Sequence, residues 1–159
     1  MNRRTAIQQL FIIAGGMMIA SSCSSDRNKA SIELANIDVS AEEEDVLGNV
    51  VEAIIPKTDS PGARELNLHL FVLKMVDDCH GPEDQKRFLD GLKNAKSQKG
   101  KTTSEIQEYL KNLPADDSFL SLVKKRTIQG YLNSEYVMKN KLIYELVPAR
   151  YNGALKIEA

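Results

Sequence analysis

Apolar residues recur at steps of three and four along the chain from residue 40 onwards, the spacing that places them on one face of an α-helix. Ser40 and Glu43 precede the first such run at the spacing of a capping box, in which each residue satisfies a backbone N–H of the other. Pro56 disfavours helical geometry in the residue before it, so the first helix is predicted to end there. The run itself comprises Val46, Leu47, Val50, Val51, Ile54 and Ile55.

The same spacing predicts four or five further helices. The last of them is expected to end near Leu146, and the aperiodic residues from Pro148 to Ala159 are expected to form an extended tail. No stretch alternates polar and apolar residues over the length of a strand, so the sequence predicts an all-α bundle of five to six helices. The residues that mark the starts of the later helices are Asn67, Gly81-Pro82, Thr102, Asp116-Asp117-Ser118 and Ser134.

Residues 56–63, Pro-Lys-Thr-Asp-Ser-Pro-Gly-Ala, form a dense loop after the first helix. Its two prolines fix φ, and its glycine permits a close approach of the backbone. Ser60 followed by Pro61 has the arrangement of an N-cap with proline at the first helical position. The loop is therefore predicted to be a rigid turn between helices, with Lys57 and Asp59 facing a ligand as the alternative.

The first 22 residues have the pattern of an export signal. Arg3 and Arg4 give it a positive start, and residues 10–20 are apolar but too few to span a bilayer. The arginine pair resembles a twin-arginine signal, which delivers folded proteins across the bacterial inner membrane. A general secretory signal with the same arginines is the alternative.

Ala20-Ser21-Ser22-Cys23 resembles a bacterial lipobox, in which the cysteine sulfur is lipidated and the residue becomes the new N-terminus. The protein is therefore expected in the cell envelope, exported to the periplasm and anchored to a membrane by lipid. Residues 23–39 are predicted to be a flexible tether, and residues 40–159 a helical domain. The tether residues expected to contact the domain are Ile32, Leu34 and Ile37.

The composition is that of one ordinary globular domain, with 159 residues of which 42% are hydrophobic and 27% charged. A net charge of −1 with interspersed signs provides no basic surface for nucleic acid. If Cys23 is lipidated, Cys79 has no partner for a disulfide. Because no further ligand spacing accompanies Cys79 and His80, a structural thiol on the inward face of the second helix is predicted.

Dinucleotide, phosphate-loop, esterase, zinc-helix and haem-attachment motifs are absent from the sequence. Paired carboxylates occur as Asp77-Asp78 and Asp116-Asp117 at predicted helix ends, where solvation or capping explains them. The sequence therefore predicts no catalytic, cofactor-binding or metal-ligating residue in this chain. A small enzyme that uses Lys57, Asp59 and a histidine is the catalytic alternative.

Four of the five tyrosines fall between residues 131 and 151. Tyrosine combines a large apolar ring with a hydroxyl that needs a partner, which suits a surface that is buried when another protein docks. Packing of these tyrosines on the chain's own core is the alternative. Gly130, which costs about 1 kcal/mol against alanine within a helix, indicates a close helix contact at the start of the segment. The tyrosines are Tyr131, Tyr136, Tyr144 and Tyr151.

Two blocks of the sequence resemble the gluconate 2-dehydrogenase subunit 3 family. The first is Ile55–Ala63, whose Pro-Lys-Thr-Asp-x-Pro-Gly-Ala pattern is specific. The resemblance covers about Ala41 to Leu155 and includes the signal with its arginine pair. In the second block Asn133 and Ala149 stand where Thr and Gly are commoner in the family. That block comprises Gly130-Tyr131, Ser134-Glu135, Tyr144, Val147-Pro148 and Tyr151.

The resemblance implies a small, non-catalytic subunit of an exported FAD-dependent dehydrogenase of the glucose-methanol-choline type, which acts on sugars or polyols. It places FAD in the large partner subunit, names a cytochrome subunit as a frequent electron acceptor, and assigns the export signal for the complex to the small subunit. A free-standing helical lipoprotein that serves as an envelope adaptor is the alternative. The residues implied in partner binding are Pro56, Lys57, Thr58, Asp59, Pro61, Gly62, Tyr131, Ser134, Glu135, Tyr144, Pro148 and Tyr151.

Overall fold

The computed structural model of the chain describes residues 28–142. These residues form an all-α bundle, as the sequence predicts, and contain no strand beyond one antiparallel bridge between Lys29 and Ser40. Within this range no helix is both long and apolar enough to cross a membrane. The six helices are α1 (Ala41–Ile54), α2 (Leu68–Cys79), α3 (Pro82–Ala95), α4 (Thr103–Asn112), α5 (Ser118–Leu132) and α6 (Glu135–Asn140), with a 3-10 turn at Lys96–Gln98 after α3.

Helix α1 lies at the centre of the bundle and contacts α2, α3, α4 and α5. Val46, Leu47, Val50 and Val51 on its apolar face are buried, as the spacing predicts, and full burial of each such side chain contributes about 1.5–3 kcal/mol. Ile54 and Ile55 at the end of the run are partly buried. The predicted capping box is present. Ser40 N donates to the Glu43 carboxylate at 2.9 Å, and Glu43 N donates to Ser40 Oγ at 3.3 Å. A second predicted capping box, Thr102 with Glu105, begins α4.

Two glycines let helices approach one another closely. A Cβ at Gly91 of α3 would overlap the Cβ and ring of Phe119 at the start of α5. The Phe119 ring also packs on Phe88, with ring centroids 5.8 Å apart. A Cβ at Gly130 would lie 2.7 Å from the ring of Phe71 in α2, so the predicted close contact at Gly130 is confirmed.

Residues 28–39, which we call the strap, lie against the bundle without helical structure. Ile37 and Val39 are buried in the core, and Ile32 and Leu34 pack against it while partly exposed. The predicted contacts of Ile32, Leu34 and Ile37 with the domain are therefore confirmed. The packed part of the protein therefore begins in the strap, before the Ser40 cap of α1.

One carboxylate fastens the strap to α2. The Asp77 side chain is fully buried and accepts the backbone N–H groups of Ala35, Asn36 and Ile37 at 2.8, 2.6 and 3.0 Å. Burial by itself raises the pKa of Asp77, but the three N–H groups, helped by Lys74, outweigh burial and lower this pKa below its usual value. The carboxylate is therefore ionised at neutral pH.

Two local predictions on either side of α2 are wrong. Ser60 and Pro61 do not begin a helix, because the chain from residue 63 to 67 forms turns and α2 starts only at Leu68. Cys79 is exposed and does not belong to the inward face of α2. The buried polar position near the end of that helix belongs to Asp77, because the strap covers it.

Helix α6 is shorter than predicted. It ends at Asn140, whose side-chain amide donates to the carbonyl oxygen of Tyr136 at 2.9 Å. Such local side-chain bonds compete with the helical backbone, so asparagine is a weak helix former. The predicted end at Leu146 and the predicted extended tail from Pro148 lie outside the described residues.

Candidate partner-binding surface

The Pro56–Gly62 loop is held to the last turn of α1 by Glu52. One carboxylate oxygen of Glu52 accepts the backbone N–H of Lys57 at 3.0 Å, and the other accepts that of Arg64 at 2.9 Å. A Cβ at Gly62 would overlap this carboxylate. The glycine is therefore needed for space, and the loop is a fixed turn between α1 and α2, as predicted.

The tip of the loop, Lys57 to Asp59, is exposed to solvent. Lys57 Nζ lies 2.9 Å from Glu65, and the hydrogen bond from Lys57 to this carboxylate raises the pKa of Lys57. A lysine that holds its proton more firmly than usual is a poor general base. Asp59 accepts the hydroxyl of Thr58 at 3.0 Å. These contacts suit a surface that binds a partner better than a catalytic centre.

Tyr131 of α5 joins the loop to the second predicted segment. Its hydroxyl donates to Ser60 Oγ at 3.0 Å, across 71 positions of sequence, and its ring packs partly buried against the core. Ser134 caps α6 by accepting the N–H of Val137, and its own hydroxyl donates to the carbonyl oxygen of Tyr131 at 2.7 Å. The structure thus brings the Pro56–Gly62 loop, Tyr131 and Ser134 into one connected surface.

A groove of about 620 Å³ lies between the start of α2 and the α5–α6 turn. Leu68 and Phe71 contribute its apolar side, and Ser134, Glu135 and Tyr136 contribute the opposite side. Its lining combines apolar residues with polar and charged ones in about equal number, a mixture that suits contact with a protein segment. Two residues of the predicted interface, Ser134 and Glu135, therefore line a concave surface.

Large apolar side chains stand exposed near the same turn. Ile128 is 40% exposed and Leu132, one helical turn later on the outer side of α5, is 54% exposed. Leu142, which follows α6, is 52% exposed. These three are the exposed large hydrophobic residues of the described range. Ile128 and Leu132, four residues apart on one face of α5, form an apolar patch of the kind that marks a docking surface. Sequence reasoning did not single them out, although the tyrosine-rich segment contains two of them.

The two histidines have partners elsewhere in the bundle. His69 Nε2 lies 4.0 Å from Glu44, and burial lowers the pKa of His69. His80 Nε2 accepts from Arg126 at 3.1 Å (Nε) and 2.9 Å (Nη2), so its ring proton resides on Nδ1, 3.6 Å from Asp84. This second cluster ties α5 to the α2–α3 turn beside a cleft of about 360 Å³. Among the described residues no three His, Cys, Asp or Glu side chains are grouped as a metal site.

The rest of the predicted site falls beyond the described range of residues 28–142. The part of the predicted interface that the structure does describe is gathered around the end of α5, with the loop on one side and α6 on the other. The residues outside the described range are Arg3, Arg4, Cys23, Tyr144, Pro148 and Tyr151.

Comparison with protein families gives one match. A family model described as gluconate 2-dehydrogenase subunit 3 matches residues 41–149, which include all six helices, the Pro56–Gly62 loop and the α5–α6 turn but not the strap. Comparison with curated proteins and with solved structures gave no match. Because the family model covers more than half of the chain, the protein belongs to the gluconate 2-dehydrogenase subunit 3 family, whose name describes an accessory subunit of a dehydrogenase complex.

Proposed function

We propose that this protein is the non-catalytic small subunit that binds a FAD-dependent dehydrogenase of the glucose-methanol-choline type and accompanies it through export. The partner acts on sugars or polyols and carries the FAD. The observation that carries the proposal is the hydrogen bond from Tyr131 to Ser60, which joins the two sequence blocks of the family into one surface. The match to an accessory subunit of a dehydrogenase complex supports the same role.

The physical basis for docking is the mixture of groups on this surface. Ile128 and Leu132 would leave water when a partner covers them, and full burial of one such side chain contributes about 1.5–3 kcal/mol. Lys57 and Asp59 on the loop and Glu135 at the start of α6 are exposed, and they would provide the polar contacts that set the orientation of the partner. A cytochrome subunit that takes the electrons of the flavoprotein is the second proposed partner.

Export of the complex follows from the location of the signal. FAD is loaded in the cytoplasm, so the partner has to cross the membrane already folded. A twin-arginine signal at Arg3 and Arg4 of this chain would serve both subunits, because that route accepts folded cargo. Lipidation at Cys23 would then hold the complex to a membrane on the periplasmic side.

Co-purification tests the binding role. A tagged wild-type chain isolated from its native membranes is expected to bring down a flavoprotein that mass spectrometry and flavin absorbance identify. Leu132→Glu, at an exposed position that leaves the core intact, is expected to reduce the recovered flavoprotein at least tenfold. Lys86→Glu on the exposed face of α3 is the matched control and is expected to retain it. Recovery of no flavoprotein with the wild type, or equal recovery with Leu132→Glu, would contradict the proposal.

Fractionation of cells tests the escort role. Replacement of Arg3 and Arg4 by lysine is expected to leave the partner's dye-linked dehydrogenase activity in the cytoplasm, because the twin-arginine route requires the arginine pair. Lys29→Arg, a conservative exchange outside the signal, is the control and should leave the distribution unchanged. Periplasmic activity that is unaltered by the double replacement would show that the partner crosses without this chain.

A further inference from the structure

We propose that the end of the bundle at the start of α1 lies against a phospholipid membrane surface, with the partner-binding loop held at the opposite end of α1. This inference rests on the proposed lipid at Cys23 and assigns to the membrane a particular face of the protein. The strap, which lies outside the residues matched by the family model, determines which face it is.

The strap enters the bundle at the first turn of α1. The carbonyl oxygen of Asn28 accepts the backbone N–H of Ala41 at 3.0 Å, and Ala30 N donates to Val39 O at 2.9 Å. Four residues separate Cys23 from Asn28. Each extended residue spans at most about 3.6 Å, so a lipidated Cys23 lies within about 18 Å of Asn28, which is bonded to the start of α1.

The strap cannot lengthen this connection while it stays bound. Asp77 holds its middle through three buried hydrogen bonds, and Glu44 holds Ser31 through the backbone N–H and the hydroxyl at 2.5 and 2.7 Å. Release of the strap would add twelve residues, about 40 Å of extended chain. The hydrogen bonds of Asp77 and Glu44 therefore together limit the distance between the bundle and the membrane.

The start of α1 presents a charged, polar surface to the membrane. Lys96 and Lys99 reach Glu42 at 3.7 and 2.6 Å, which places the lysine-rich end of α3 and the 3-10 turn beside the first turn of α1. Lys29, paired with Ser40, lies at the same end, where Glu42, Glu44 and Asp45 accompany the lysines and Glu43 is buried in the capping box. Exposed lysine side chains in such a mixed surface can contact the phosphates of lipid headgroups.

The proposed docking surface lies at the other end of α1. A helix rises about 1.5 Å per residue, so the fourteen residues of α1 separate its two ends by about 20 Å. The Pro56–Gly62 loop follows the second end directly, and Tyr131 bonds to Ser60 there. A bound dehydrogenase would then lie on the far side of this subunit from the bilayer.

Fluorescence energy transfer tests the orientation. The chain has no tryptophan, so a single introduced Trp reports one position. Ala41→Trp and Asp59→Trp are both at exposed positions of the bundle, one at the start of α1 and one in the loop that follows its end. With the processed, lipid-bearing chain in phosphatidylethanolamine–phosphatidylglycerol vesicles, transfer to dansyl-labelled headgroups is expected to be at least threefold greater from Ala41→Trp.

Asp77→Ala in each background is expected to reduce this difference to less than half, since the released strap lengthens the connection. Circular dichroism checks that the helices persist in Asp77→Ala. If they do not, the comparison of the two Trp positions in chains that keep Asp77 still tests the orientation. Equal transfer from both positions in a lipid-bearing protein would overturn the orientation alone. If mass spectrometry of the purified protein shows no lipid on Cys23, the anchor is wrong and this inference fails with it. Co-purification of the flavoprotein tests the docking role separately.

Discussion

The strap and the Pro56–Gly62 loop are both irregular segments, and each is held to a helix by one carboxylate that accepts backbone N–H groups. Asp77 holds the strap through three N–H groups and is fully buried, whereas Glu52 holds the loop through two and remains partly exposed. The loop contains two prolines and a glycine that shape it locally, and the strap contains neither residue type. The strap, which has no proline or glycine to shape it, thus depends on a buried charge of the bundle.

The largest expected effect is at Asp77. Asp77→Ala removes three charge-assisted hydrogen bonds and leaves the buried N–H of Ile37 without its acceptor, so the free energy of unfolding is expected to fall by about 3 kcal/mol. Urea unfolding measures the loss, and limited proteolysis should cut the strap between Ser31 and Ile37. Asp78→Ala is the matched control, because Asp78 is exposed and pairs with Lys74 at the surface; it should cost less than about 0.5 kcal/mol. Equal losses for the two variants would contradict the role of Asp77.

Acid should weaken the hold on the strap. The folded pKa of Asp77 lies below its ordinary value of 3.8, since its hydrogen bonds outweigh burial. The contribution of Asp77 to the free energy of unfolding is therefore complete above the pKa that it has in the unfolded chain, and it is lost as the pH falls through the pKa that it has in the folded protein. Urea midpoints at pH 7, 5 and 3 should show wild type and Asp77→Asn converging towards pH 3. A stability gap that is as large at pH 3 as at pH 7 would show that the charge is unimportant.

Mutations that loosen the Pro56–Gly62 loop should lower the free energy of unfolding less than Asp77→Ala does. In Gly62→Ala the new Cβ displaces the Glu52 carboxylate from the N–H groups of Lys57 and Arg64, which is expected to cost about 1–2 kcal/mol. Glu52→Ala should cost a similar amount. In the double variant the alanine at position 62 should add less than about 0.5 kcal/mol, because the group it displaces is gone. Additive losses in urea unfolding would mean that Gly62 acts independently of Glu52.

The smallest effect is expected where the loop meets α5. Tyr131→Phe and Ser60→Ala each remove the same partly exposed hydrogen bond, so each should cost about 0.5–1 kcal/mol. The double variant should cost no more than the larger single loss, which a double-mutant cycle by urea unfolding measures. Independent losses would show that the hydroxyls do not stabilise each other.

The helices were predictable because their signals are local. The capping box of Ser40 with Glu43, and Pro56 at the other end, lie within a few residues of the ends of α1 that they define. Asp77 gave no such signal, because its partners in the strap lie 40–42 positions away and carry only backbone N–H groups. The sequence pattern instead indicated an inward Cys79, which the structure shows to be exposed.

The candidate site was predictable as a set of segments but not as a surface. Composition drew attention to Tyr131, and the resemblance drew attention to the loop, yet their contact spans 71 positions and depends on how α5 crosses α2. Ile128 and Leu132 lie off the face of α5 that carries the buried Phe119, Val123 and Thr127, but the helical period does not show whether another element covers them. Only the packed arrangement shows which apolar residues remain in water.

The contact at Gly91 limits how this protein can change in evolution. A side chain there would meet not only the ring of Phe119 but also its Cβ, an atom that every residue except glycine carries. A smaller residue at position 119 therefore cannot make room, and any replacement of Gly91 has to move the backbone of α5. That helix also carries Tyr131, so a mutation in α3 would be transmitted to the proposed interface. Descendants of this chain should keep glycine at position 91 even where the surrounding surface diverges freely.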